Sequence, residues 1–136
     1  MNREEIKNII PHRDNMLLVD KAELIDENHT VGEYTVKGDE FFLKGHFPGN
    51  PVVPGVILCE ILAQTSCVLL GDRAAGKTPY FAAMNNVRFK EKVVPGDTIK
   101  TECCLNKVRG PFFFASGKGY VNEKLAVSAD FSFALM

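Results

Sequence analysis

Residues 46–64 decide the fold, and they read HFPGNPVVPGVILCEILAQ. Three prolines and two glycines among the first ten of them hold the backbone in a fixed, non-repetitive path, because proline locks φ and glycine permits conformations barred to other residues. Pro54-Gly55 marks the start of a helix and Gly71 its end, so we predict a helix from about Val56 to Leu70. That helix is apolar on nearly every side, which indicates that other structure wraps it.

The same stretch carries the residues of a proton-transfer site. Glu60 and Gln64 are four residues apart and therefore share one helix face. A carboxyl group among apolar neighbours is costly to ionise, which suits a proton donor, and His46 is the natural complementary base. The first N–H groups of the helix, at Gly55 and Val56, are suited to polarising a carbonyl oxygen.

Length and charge bound the remaining possibilities. The 136 residues suffice for one domain, residues 1–136, and the net charge of −1 gives no reason to propose nucleic acid. We expect no membrane span, since no apolar run approaches the roughly 20 residues that one needs. The start, Met1–Glu5, is acidic where a signal peptide would be basic, so we expect a cytoplasmic protein.

The four cysteines do not form a recognisable framework. Cys59 and Cys67 fall in the predicted helix, while Cys103 and Cys104 are adjacent in a predicted strand and should point to opposite faces. Neither a disulfide network nor a CxxC metal clip is suggested, so we interpret them as small thiols in a reducing compartment. We predict no metal site.

The rest of the chain predicts one short helix and six strands. Asn2 with Glu5 resembles a capping box, opening an amphipathic helix that Pro11 ends. The strands should pair antiparallel in succession, because the breaks between them are short, and the last two should form a hairpin. Together they predict an α+β domain in which an antiparallel sheet of five or six strands curls around the central helix. The predicted strands are Met16–Asp26, Thr30–Lys37, Tyr80–Phe89, Thr98–Lys107, Phe112–Val121 and Leu125–Leu135.

Several motifs together resemble one family. Beside residues 46–64, they are Pro11-His12-Arg13, Leu17-Leu18-Val19-Asp20 and Val93-Val94-Pro95-Gly96-Asp97. Over essentially its whole length, the chain resembles the FabZ-type (3R)-hydroxyacyl-[acyl-carrier-protein] dehydratases of bacterial type II fatty acid synthesis. The resemblance implies a hot-dog fold and a homodimer whose sheets join edge to edge, commonly assembled as a trimer of dimers.

The resemblance also implies roles for the site residues. It makes His46 and Glu60 the catalytic pair, contributed by opposite subunits. It also makes the backbone N–H of Gly55 the group that binds the thioester carbonyl oxygen. Water is then lost from a 3-hydroxyacyl thioester as His46 removes a proton from C2 and Glu60 protonates the C3 hydroxyl, giving a trans-2-enoyl thioester. This chemistry needs no cofactor.

Other residues have two interpretations each. Phe47, Val56 and Phe81 either line an acyl tunnel, with Phe81 as a wall or gate, or pack in the core. Gln64 either holds Glu60 or a water in place, or is simply a polar residue on the helix face.

Two further histidines are rivals for the base. We interpret His29 as a solvated turn residue. We interpret His12 as making a structural hydrogen bond at the end of the first helix.

A basic rim is also open to two interpretations. Arg88, Lys90 and Lys92 alternate along a predicted strand. They either steer an acidic acyl carrier protein, which presents its substrate on a phosphopantetheine arm, or form an ordinary solvated face.

Three alternative functions stay open. A hot-dog thioesterase would release a free thiol, and a dual dehydratase and isomerase would also give cis-3-enoyl products. A non-catalytic acyl-binding regulator would not need both His46 and Glu60.

Overall fold

The computed structural model describes all 136 residues and contains one six-stranded antiparallel sheet and one long helix. The strands are β1 (Lys21–Asp26), β2 (His29–Thr35), β3 (Pro79–Phe89), β4 (Thr98–Arg109), β5 (Phe112–Val121) and β6 (Lys124–Leu135). The α-helices are α1 (Arg3–Lys7) and α2 (Gly55–Cys67), and 3-10 turns cover Asp14–Met16, Phe41–Leu43 and Val68–Arg73. The strand order is β1-β2-β4-β5-β6-β3. The predicted α+β class and the strand count are confirmed.

Helix α2 lies against four strands of the sheet, β2, β4, β5 and β6. Its residues from Leu58 to Cys67 are buried except for Glu60, as its apolar composition predicts. The sheet approaches the helix closely at Gly117, where an added Cβ would lie 3.2 Å from Cβ of Leu62. The α-helical bonding ends at Cys67, earlier than predicted, and a 3-10 segment continues past the non-helical Gly71.

Two local predictions are confirmed. Asn2 accepts a hydrogen bond from the N–H of Glu5 while the Glu5 side chain accepts one from the N–H of Asn2, which completes the capping box. The last two strands form a hairpin, whose turn places Asn122 and Glu123 at φ of 50° and 68°. Helix α1 ends at Lys7, ahead of Pro11.

The prediction of a strand beginning at Met16 is wrong. The strand begins at Lys21, and residues 17–19 are buried outside the sheet. The reason is that the backbone here pairs with a side chain: Gln64 binds the Met16 carbonyl oxygen and the Leu18 N–H. A segment whose polar groups are satisfied in this way does not need a strand partner.

The prediction that successive strands pair throughout is wrong for β3 and β4. Strand β3 pairs with β6, while β4 lies between β2 and β5. The segment that follows β3 is instead hydrogen-bonded to the loop before α2: the Val53 N–H donates to the Val93 carbonyl oxygen at 2.8 Å. Strand β3 therefore forms an edge of the sheet, and nearly all of it is exposed.

One helical segment has the length of a membrane span. Gly55–Arg73 covers 19 residues and is apolar enough, by length and composition alone, to cross a membrane. Our expectation that no apolar run approaches that length is therefore wrong. Since 67% of this segment's window is buried inside the fold, its composition fits a core helix covered by the chain's own sheet.

Candidate active site

Glu60 lies in the second turn of α2 with two polar neighbours. The Gln64 side chain donates a hydrogen bond from Nε2 to Glu60 Oε2 at 2.9 Å. His12 Nε2 lies 3.3 Å from the same oxygen. The Glu60 side chain is 20% exposed. The carboxyl group, predicted to lie among apolar neighbours, thus also has two polar ones: Gln64, which the sequence placed on the same helix face, and His12, from the segment before β1.

The orientation of the Gln64 amide is fixed by the backbone around it. Its Oε1 accepts from the Leu18 N–H at 2.8 Å, and its Nε2 donates to the Met16 carbonyl oxygen at 2.8 Å. The side chain is only 1% exposed. Since both ends of the amide are assigned by these partners, the remaining N–H can only be offered to Glu60.

A small cavity lies beside the carboxyl group. Its volume is about 40 Å³, which is room for a water molecule. The cavity brings Glu60 together with the predicted tunnel residue Phe81, whose ring also contacts Phe131 edge-on. The lining residues are His12, Glu60, Ala63, Gln64, Cys67, Pro79, Phe81 and Phe133.

His46 lies in the proline-rich loop, away from this cavity. Its Nδ1 lies 2.9 Å from the carbonyl oxygen of Val52, so a neutral ring donates from Nδ1 and keeps a lone pair at Nε2. The ring stacks on Phe47 with centroids 4.2 Å apart. Within one chain, His46 does not approach Glu60 within 4.0 Å, and Glu60 contacts Gln64 and His12 instead.

The start of α2 offers free backbone donors. The N–H groups of Ile57 and Leu58 donate to the Pro54 carbonyl oxygen, whereas those of Gly55 and Val56 have no backbone partner in the chain. The Phe89 ring covers this point so closely that a Cβ on Gly55 would lie 2.7 Å from its Cζ. A side chain here would therefore force the exposed Phe89 ring to move, whereas the φ angle of Gly55 does not demand glycine.

The three predicted tunnel residues are not core residues of this chain. Phe47, Val56 and Phe81 are 52%, 68% and 40% exposed, so the alternative of plain core packing is wrong for all of them. The structure brings Phe81 to Glu60 and Phe47 to His46. Val56 lies exposed at the helix start and lines no part of the small cavity.

The Cys67 thiol, which lines the cavity, is expected to be unreactive. Burial raises the pKa of Cys67 well above its usual range, and the nearby Glu60 carboxylate raises it further. A thiol that stays protonated is a poor nucleophile. Cys103 is likewise buried, its pKa raised by burial to about 12, while its neighbour Cys104 is partly exposed, as predicted for adjacent strand residues.

The two other histidines have different surroundings. His29 has its side chain 54% exposed, 2.8 Å from Asp26, which agrees with the predicted solvation, although His29 is the first residue of β2 and not part of the turn. His12 instead reaches the cavity and Glu60, which sequence reasoning missed. The only sequence feature that drew attention to His12 was its place in the Pro11-His12-Arg13 motif. No local pattern could predict its contact with Glu60, which is 48 residues further along the chain.

Comparison with known proteins places the chain in a family. A model of the FabA-like domain matches residues 10–130. A 3-hydroxyacyl-[acyl-carrier-protein] dehydratase FabZ from Clostridium perfringens is 44% identical over 137 residues, which covers 99% of this chain and 99% of that relative. The chain belongs to the FabZ dehydratase family. A FabZ from Staphylococcus epidermidis is 42% identical over 134 residues, with 96% of this chain and 92% of that relative covered.

Solved structures show the fold of this FabZ family member. The dehydratase heterocomplex ApeI:P from Xenorhabdus doucetiae matches with a TM-score of 0.82 at 19% identity, over 96% of this chain and 90% of that one. A hypothetical thioesterase with coenzyme A from Streptococcus pneumoniae matches with a TM-score of 0.64 at 12% identity, over 85% and 84% of the two chains. Both likenesses concern the fold alone, and they confirm the hot-dog architecture.

Proposed function

We propose that this protein is a (3R)-hydroxyacyl-[acyl-carrier-protein] dehydratase, a hydro-lyase that forms trans-2-enoyl thioesters. The observation that carries the proposal is the similarity to FabZ dehydratases over 99% of both chains. The site supports it with a histidine that keeps a free ring nitrogen, a carboxyl group beside a cavity, and unpaired N–H groups at a helix start.

In the proposed reaction His46 is the base. Because Nδ1 donates to the Val52 carbonyl oxygen, the lone pair at Nε2 takes the proton from C2 of the substrate. The electron pair of the broken C2–H bond forms the C2–C3 double bond. The thioester carbonyl oxygen gains negative charge on the way, which the N–H groups of Gly55 and Val56 stabilise at the positive end of the helix dipole.

Glu60 is the acid of the same step. Its proton goes to the C3 hydroxyl as the C3–O bond breaks, so that the leaving group departs as water. Turnover leaves the proton from C2 on His46 and a carboxylate at Glu60, and exchange with solvent restores both groups. No cofactor enters this scheme.

The proposed enzyme is a homodimer in which each site takes His46 from one subunit and Glu60 from the other. Two observations support this arrangement: the two residues lie apart within one chain, and β3 is an edge strand with exposed apolar side chains. Edge strands are ready to pair with another chain. The exposed β3 residues are Tyr80, Phe81, Met84 and Phe89. Assembly of three such dimers follows the family resemblance.

The proposed partner is an acidic acyl carrier protein with a phosphopantetheine arm, met in the cytoplasm. Arg88, Lys90 and Lys92 are all exposed. They do not alternate along one strand as predicted, because β3 ends at Phe89 and the two lysines follow it. They still flank Phe89 in the sequence, and the Phe89 ring lies on Gly55, so a docked carrier would stand near the start of α2.

Product analysis tests the proposal. Given 3-hydroxydecanoyl carrier protein, the enzyme should form the trans-2-enoyl thioester, with His46→Ala as the inactive control. Release of a free thiol would instead identify a thioesterase, and a cis-3-enoyl product would add isomerase activity. Binding without any product would leave only an acyl-binding protein and overturn the assignment.

A further inference from the structure

We propose that His12 is a positioning residue for Glu60, which together with Gln64 holds Oε2 and leaves Oε1 for the hydroxyl of the substrate. The inference rests on the proposed function, because it needs Glu60 to be the acid. His12 acts on the substrate only through that carboxyl group.

Both polar neighbours of Glu60 contact the same carboxyl oxygen, Oε2. Gln64 Nε2 is 2.9 Å and His12 Nε2 is 3.3 Å from Oε2. Oε1 has no hydrogen-bond partner in the chain, and it is not among the buried unpartnered atoms, so it is open to the site. The N–H that Gln64 donates to Oε2, with the His12 nitrogen beside the same oxygen, opposes a proton there and favours it on Oε1. The carboxyl group therefore presents its proton on the open side.

The His12 ring is arranged as a donor and not as a second base. Its Nδ1 is buried and has no hydrogen-bond partner. If the ring is neutral and its hydrogen is on Nε2, Nδ1 carries a lone pair that accepts no hydrogen bond. A charged ring would bury an N–H group without an acceptor, which is more costly. Of the two tautomers of a neutral ring, the one with the hydrogen on Nε2 leaves no buried N–H group unpaired, and it turns an N–H toward Glu60.

The segment that carries His12 is anchored on both sides of the ring. The Arg13 guanidinium donates to the carbonyl oxygens of Ile10 and His12, each at 2.8 Å, and of Lys7 at 2.9 Å. Further along, Gln64 holds the backbone at residues 16–18. The backbone on both sides of His12 is therefore held where the ring meets Glu60. This is the construction expected of a residue that orients another one.

A double-mutant cycle tests the inference. His12→Phe keeps a planar ring without a donor, and His12→Gln places an amide N–H near the position of Nε2. We expect His12→Phe to lower kcat by up to roughly tenfold with little change in KM, the size expected for loss of one uncharged polar contact that orients the acid. His12→Gln should restore most of kcat. In a Glu60→Gln background, His12→Phe should have less than about a twofold further effect.

The controls separate the possible failures. His29→Phe, at the exposed histidine, should leave kcat unchanged. Wild-type kcat in His12→Phe with a crippled Glu60→Gln would overturn the inference alone, and equal losses in both backgrounds would show a merely structural role. A fully active Glu60→Gln would overturn the proposed function as well. If His12→Phe does not fold, His12→Gln is compared with the shorter His12→Asn: loss only in the asparagine variant supports the inference, and equal activity of the two overturns it.

Discussion

The two halves of the proposed site are built differently. The Glu60 half is held by the chain's own core, since the buried Gln64 links it to residues 16–18 and His12 adds a second contact. The His46 half is an exposed loop, in which the ring has one hydrogen bond, to Val52, and one stacking neighbour, Phe47. One chain thus completes the surroundings of the acid but not those of the base.

This difference indicates what a second copy has to supply. A carboxyl group that must present one chosen oxygen needs its rotation fixed, and buried partners within the chain do so. The imidazole needs only one hydrogen bond to set its tautomer. Its remaining surroundings include the exposed Phe47 and Val56, which a partner subunit and the substrate would cover in the proposed dimer.

Mixing two inactive variants tests this comparison most severely. His46→Ala and Glu60→Ala should each lower kcat by about 10²- to 10⁴-fold, as expected for loss of a general base or acid. Unfolded and refolded together, they should regain about a quarter of wild-type activity, because half of the dimers are mixed and one of the two symmetric sites in each is intact.

The control is the same refolding of each variant alone. No recovery in a mixture that demonstrably contains mixed dimers would place both residues of a site in one subunit and break the comparison. The measurement is the rate of enoyl formation per total chain in the refolded mixture.

Replacement of Gln64 by leucine tests the acid half. The change leaves the Leu18 N–H and the Met16 carbonyl oxygen buried without partners, so we expect a loss of about 2–4 kcal/mol in the free energy of unfolding. The loss of one donor to Glu60 should also lower kcat by about tenfold.

Thr65→Val is the matched control, because Thr65 is also buried and hydrogen-bonded on α2 but does not contact Glu60. It should lower stability by about 1 kcal/mol without changing kcat. Urea unfolding and steady-state kinetics measure the two effects. A Gln64→Leu protein as active as Thr65→Val would show that Glu60 does not need to be held.

The sequence predicted those parts of the molecule that local signals determine. The capping box at Asn2 and Glu5, the apolar helix and the final hairpin all follow from residues close together in the chain. The Gln64 contacts span 46 and 48 residues, and no local pattern distinguishes an extended segment held by a side chain from a strand. The same limit concealed the contact of His12 and the pairing of β3 with β6.

Glu40 is a buried carboxyl group six residues before His46, and its hydrogen bonds to the end of β2 and the two residues Lys37 and Gly38 make the stability of the protein depend on pH. Burial by itself raises the pKa of this carboxyl, but hydrogen bonds from the Tyr34 hydroxyl at 2.6 Å and from the Lys37 and Gly38 N–H groups outweigh it and hold the pKa below its usual value. A carboxyl whose pKa is lowered on folding stabilises the protein above its unfolded pKa, and this contribution is lost as the pH falls through the folded pKa.

We therefore expect Glu40→Gln to reduce the free energy of unfolding by about 1–2 kcal/mol at pH 7 and by progressively less below about pH 4.5. Asp39→Asn, at the exposed neighbour, should have little effect at either pH. Denaturant unfolding across pH 3–8 measures both. A difference between Glu40→Gln and wild type that stays constant with pH would contradict the assigned role.

Reversal of the exposed charges after β3 should have the smallest effect, and it tests the proposed docking of the carrier near the start of α2. Lys90→Glu with Lys92→Glu should raise KM for carrier-bound substrate a few-fold at low salt, because long-range attraction mainly changes encounter. The effect should vanish near 1 M salt, where the Debye length falls to about 3 Å. A short thioester without the carrier should show no change at any salt, and neither should Lys118→Glu, an exposed charge in the middle of β5. If the short thioester were affected equally, the two lysines would be acting on the site itself and not on the carrier. The contact between Phe89 and Gly55 would then transmit the change to the helix start.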